Sequence, residues 1–117
     1  MLKNINYDLE ERTTKFSKEL ISLCKKCRLD TISKPIVSQL VRSGTSVGAN
    51  YSEANGASSK KDFRSKIFIC KKESKETMYW LRLLAHNSPS VKEECLSLWK
   101  EAKELTLIFS AIAKSSK

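Results

Sequence analysis

The chain has 117 residues, a length that suits one domain and excludes a doubly wound enzyme with lids. Apolar residues make up 40% and charged residues 30%; no apolar run approaches the roughly 20 residues of a bilayer crossing, so no membrane partner is expected. A surplus of 22 basic over 13 acidic residues leaves a net charge of +9, which favours a polyanionic partner such as RNA, DNA or a membrane surface, of which nucleic acid is the one expected.

The opening segment MLKNINYDLEERTTKF has no uncharged apolar core of the secretory kind, and a cytoplasmic protein is expected. From there Leu9, Thr13, Phe16, Leu20, Leu23 and Cys27 recur in steps of four and three, which predicts a helix over about 7–28. Ser33 is a candidate cap, with Pro35 in the first turn where its missing N–H costs nothing. Val37, Leu40, Gly44, Val47, Tyr51 and Ala54 then line a second helix over about 34–55, stopped by Asn55-Gly56, both tolerant of a left-handed backbone.

Ser59 followed by Asp62 approximates a capping box. The stripe Phe63, Ile67, Cys70, Ser74, Thr77, Leu81 and Leu84 extends a third helix over about 59–86. HNSPS is a turn, from which Ser88-Pro89 or a Ser90…Glu93 box starts the last helix, about 89–114, with Val91, Cys95, Leu98, Ala102, Leu105, Phe109 and Ile112 on one face. The tail AKSSK is expected to fray. Four helices with one apolar face each and short links make an all-α, antiparallel up-down-up-down four-helix bundle, a single domain over 1–117.

Several stretches look like chemistry. GTSVG, residues 44–48, has the G-x-S-x-G form of a nucleophile elbow, but Ser46 lies within helical periodicity, not at a strand-to-helix turn, and His86 is the only histidine. The better reading is architectural, Gly44 and Gly48 lying four apart where missing side chains let another helix come close. Ser46, Asn50 and Glu53 form a polar stripe beside them, suited to an interhelical or intersubunit hydrogen-bond network. Cys24 and Cys27 have C-x-x-C spacing, yet Cys70 and Cys95 are isolated, so all four read as small buried hydrophobes and no metal is expected. ANGASSKK lacks the phosphate-loop pattern. No cofactor and no catalytic residue is expected.

Charge carries the strongest functional signal. Residues 58–87 hold eight basic and three acidic side chains, +5 of the total. At about 100° per residue, Lys60, Arg64, Lys71, Lys75 and Arg82 fall within about 60° of one another, with Lys61 and Lys72 at the edge and Asp62, Glu73 and Glu76 on the opposite flank. Such a stripe suits a phosphate backbone, and Phe68 and Tyr79 beside it suit base stacking or a subunit contact. Leu96 and Leu107 point away from the core stripe of the last helix and Trp80 lies just off that of the third, a pattern that suggests self-association.

RSGTSVGANYSEA (residues 42–54), followed by KKDFRSKIFICKKESKETMYWLRLL, resembles the signature of the four-helix bundle family of proteins encoded in 23S rRNA intervening sequences. The resemblance covers nearly the whole chain. It rests on Ser46, Gly48, Asn50 and Glu53 and on Phe63, Lys72-Glu73, Glu76 and Trp80; where family members often carry proline before the Ala-Asn pair, this chain has Gly48. The resemblance implies a ring-like homopentamer with no established enzymatic activity. It also implies a relation to the accessory variability proteins of diversity-generating retroelements, basic pentameric bundles that bind nucleic acid and a reverse transcriptase. The expected function is a non-enzymatic nucleic-acid-binding accessory protein; the alternative is a protein-interaction scaffold, for example for a reverse transcriptase.

Overall fold

A computed structural model describes the backbone of residues 5–116 and the side chains of residues 8–116. Helix α1 runs Ile5–Lys25, α2 Ser33–Asn55, α3 Lys60–Asn87 and α4 Lys92–Ser115, α4 being entered through a single 3-10 turn, Pro89–Val91. No strand occurs among the described residues. The helices alternate in direction. α3 packs along its length on both α2 and α4, and α1 closes the bundle mainly on α2.

The apolar periodicity accounts for the interior. Phe16, Leu20 and Leu23 of α1, Leu40, Val47 and Tyr51 of α2, Ile67, Leu81 and Leu84 of α3, and Leu105 and Phe109 of α4 are all buried. Each element therefore exists because three or four residues per two turns leave water on one side, at about 25 cal/mol for each Å² of apolar surface removed. Only Cys27, Phe63 and Ile112 of the expected stripes are partly exposed. Cys27 falls beyond the end of α1, where Lys26 and Cys27 donate to Leu23 and Cys24 carbonyls at 3.0 and 3.1 Å and tighten the chain into a turn.

The caps differ from expectation. Ser33 lies inside α2; Asp30 caps it, one carboxylate oxygen accepting from the Ile32 and Ser33 amides at 2.9 and 2.8 Å. The Ser33 hydroxyl instead braces the turn, accepting from the Asp30 amide and donating to the Arg28 carbonyl. Asp30 is held below the ordinary carboxylate range chiefly by these amide bonds. Gly56 ends α2 at φ −97°, with no left-handed residue. Ser59 does cap α3, accepting from the Asp62 amide at 3.0 Å. Ser90 caps nothing, Pro89 opening a 3-10 turn before α4. The tail expected to fray is helical to Ser115, because Ala113 still reaches the core.

GTSVG sits in the middle of α2, and its glycines face α1. A Cβ on Gly44 would stand 2.4 Å from Leu20 Cδ1, and one on Gly48 3.3 Å from Thr13 Oγ1. Close approach of α1 explains glycine in a helix interior, where each costs about 1 kcal/mol relative to alanine. Replacing Gly44 with valine should destabilise the fold by about 1–3 kcal/mol in urea unfolding. The loss should shrink in a Leu20→Ala background, where the clashing methyl is gone; an unchanged loss would mean that the crowding lies elsewhere.

Candidate nucleic-acid interface

Ion pairs sort the charges. Arg12 of α1 reaches α4, its guanidinium donating to Glu101 at 2.6 and 2.8 Å and to Glu104 at 2.8 Å. Lys26 pairs with Glu94 at 3.1 Å. Arg42 of α2 reaches α3, touching Glu73 at 3.2 Å and bonding to Glu76. Lys66 turns back from α3 to Glu53 of α2 at 2.8 Å. Five acidic residues of α3 and α4 are thus held on the outer flanks, toward α1 and α2.

What this leaves on the shared α3/α4 face is basic. Lys60, Lys61, Lys72, Lys75 and Arg82 are exposed, Arg64 and Lys71 half-buried, and none of the seven makes an ion pair among the described residues. Lys60, Lys71 and Arg82 are eleven residues apart, three turns plus about 20°, and so follow one line. The second rail was missed in the sequence. Lys92, Lys103 and Lys114 of α4 have the same eleven-residue spacing and are exposed. Their helix carries four lysines and four glutamates, and this neutral sum hides the segregation that a helical projection reveals.

Three contacts along the bundle bring the two rails together. Arg64 Nε donates to the Ala113 carbonyl at 3.3 Å, Thr106 Oγ1 meets Met78 Sδ at 3.8 Å, and Arg82 and Lys92 border the same groove. These contacts put the Lys60 end of α3 beside the Lys114 end of α4 and the Arg82 end beside the Lys92 end, with Lys71 and Lys103 both near the middle of the bundle. Arg64 stands 4.9 Å from the Phe68 ring centroid and Lys103 5.5 Å from that of Trp99, contacts that hold both cations over aromatic faces. The groove is an open cleft of about 530 Å³ with Leu81, Ala85 and Trp99 in its lining and Arg82, His86 and Lys92 at its rim. The Trp99 indole N–H is buried there without an acceptor among the described residues.

Phe68 and Tyr79 project from this face, 44% and 54% exposed, as do Leu96 and Leu107 of α4 at 47% and 60%. Trp80 is half-buried; its indole N–H donates to Glu76 at 2.9 Å. Of the polar stripe, Ser46 and Asn50 bond within α2, to the Arg42 and Ser46 carbonyls at 2.7 and 2.8 Å, and only Glu53 crosses to another helix. The cysteines stand apart from the basic face's chemistry: burial pushes the Cys24 thiol up to about 11 and those of Cys70 and Cys95 up to about 12, so they stay protonated near neutral pH.

The Trp80 indole, foremost, and the Arg42 guanidinium hold Glu76 below the usual glutamate range. A depressed folded value means that this contribution is complete above the unfolded value of about 4.3 and is lost as pH falls through the lower folded value. Urea midpoints taken from about pH 6 to about pH 3 should therefore fall less steeply for Glu76→Gln than for the parent; parallel slopes would contradict the assignment.

An α-helical bundle with one cationic face and its acids drawn to the flanks is the class these features define. The model of the 23S rRNA-intervening sequence protein family matches residues 6–111, and the chain belongs to that family. It is also similar to a crystal structure of a protein of unknown function from the S23 ribosomal protein family of Bacteroides thetaiotaomicron. That similarity is 32% identity with a TM-score of 0.81, over 93% of this chain and 97% of the other. No curated protein matches the chain.

Proposed function

We propose that the protein is a non-enzymatic, cytoplasmic accessory module that binds the backbone of RNA or DNA through its α3/α4 face and does so as a homo-oligomer, a pentamer in the arrangement its family resemblance implies. One observation carries this reading: the cations of the α3/α4 face make no ion pair among the described residues, while Glu73, Glu76, Glu101 and Glu104 lie on the flanks, paired to Arg42 and Arg12. From Lys60 to Arg82 the rail is about 33 Å long, enough to run beside about ten phosphates of one strand. Several copies on one polyanion would add their weak contacts through effective concentration.

Nucleic-acid affinity measured against salt tests the reading. Six phosphate contacts predict a log–log slope of about −4 to −5, and a flat dependence would refute it. A second reading, a scaffold for a protein such as a reverse transcriptase of a diversity-generating retroelement, draws on the exposed Leu96 and Leu107 of the same face. A protein partner retained after nuclease treatment would favour it.

A further inference from the structure

The cations of the α3/α4 face are interrupted at regular intervals, and the interruptions are apolar. Phe68 and Tyr79 are eleven residues apart on α3, and Leu96 and Leu107 eleven apart on α4. Along α3 the order is Lys60, Phe68, Lys71, Tyr79, Arg82, and along α4 it is Lys92, Leu96, Lys103, Leu107, Lys114. On each helix these cations recur about every 16 Å, with an exposed apolar side chain between each pair.

Cations alternating with exposed apolar groups fit one form of nucleic acid better than another. A duplex offers phosphates outside and hides its bases in the stack, so exposed phenyl, phenol and leucyl groups would face water or phosphate and contribute nothing. A single strand offers both, since its unpaired bases turn to one side and stack on aromatic rings irrespective of sequence. The Arg64 guanidinium, 4.9 Å from the Phe68 ring centroid, places a cation beside that ring.

We propose that the strand taken up on this face is single-stranded, with phosphates on the cations Lys60, Lys71, Arg82, Lys92, Lys103 and Lys114 and unpaired bases on Phe68, Tyr79 and the leucines between them. This rests on the backbone-binding reading above and adds the strandedness of the ligand. A duplex would engage the cations alone.

The test compares three fluorescent 20-nucleotide probes at one low salt concentration: a mixed-sequence single strand, the same strand in a duplex, and an abasic strand with the same phosphates. The intact single strand should bind about tenfold or more tightly than the other two. Phe68→Ala with Tyr79→Ala should remove that preference while leaving abasic-strand affinity and the salt slope unchanged. Both side chains lie outside the buried core. Equal affinity for all three probes, or a double variant that weakens them equally, would overturn the inference and leave backbone binding standing. Failure of every probe to bind, or binding of anionic phosphatidylserine vesicles in their place, would overturn both.

Discussion

Changing Lys71, Lys75 and Lys103 together to glutamate should weaken binding to a single-stranded oligonucleotide by roughly 100-fold or more at low salt. Each lost phosphate contact releases fewer counterions, and each new carboxylate repels the backbone. The matching control is Lys15, Lys18 and Lys25 of α1, exposed lysines among Glu11 and Glu19 on the far side of the bundle. Their reversal changes net charge by the same amount and should cost less than about threefold, because charges beyond a Debye length of about 10 Å are largely screened. Equal losses in the two triple variants would show that overall charge, and not the α3/α4 face, attracts the ligand.

Phe109→Ala should cost about 3–5 kcal/mol of folding stability, the usual range for a buried phenylalanine whose site cannot collapse. Its ring is fully buried, 5.9 Å from that of Tyr51 and tilted by 48°, so it ties α4 to the diagonally placed α2. Against a total of about 5–15 kcal/mol for a domain of this kind, the loss is large. Urea unfolding should show a fall in midpoint of about 2 M at unchanged slope. A loss below about 1 kcal/mol would mean that this contact does not hold the core together.

Helices and core were legible in the sequence because each stripe is long and set by burial alone: Leu9 to Leu23, Val37 to Ala54, Ile67 to Leu84 and Val91 to Phe109 all face inward. Helix ends were less so. Whether Asp30 or Ser33 caps α2 depends on how the chain turns between Arg28 and Ser33, and periodicity says nothing about that turn. Ser59 was readable because its partner amide, that of Asp62, lies three residues on within one helical start.

The basic stripe of α3 was visible in the projection of that helix, since its acids fall on the opposite side. The matching rail on α4 was hidden in the net charge of that helix, four lysines against four glutamates, although its own projection separates them. In the fold Arg12 of α1 and Lys26 just beyond it pair with Glu101, Glu104 and Glu94 on the other flank. Eleven-residue spacing was the available signal. The polar stripe of Ser46, Asn50 and Glu53 shows a further limit, because helical spacing places these residues on one face but cannot tell whether a hydroxyl bonds its own helix or the next. Ser46 and Asn50 bond their own.

The central claim is that ligand lies across α3 and α4 together, and lysine reactivity reads it most directly. Brief acetylation with and without a saturating single-stranded oligonucleotide, followed by mass spectrometry of each lysine, should show protection of Lys71, Lys75, Lys103 and Lys114 while Lys15, Lys18 and Lys25 react as before. Protection confined to the α1 lysines, or spread evenly over both faces, would contradict the account.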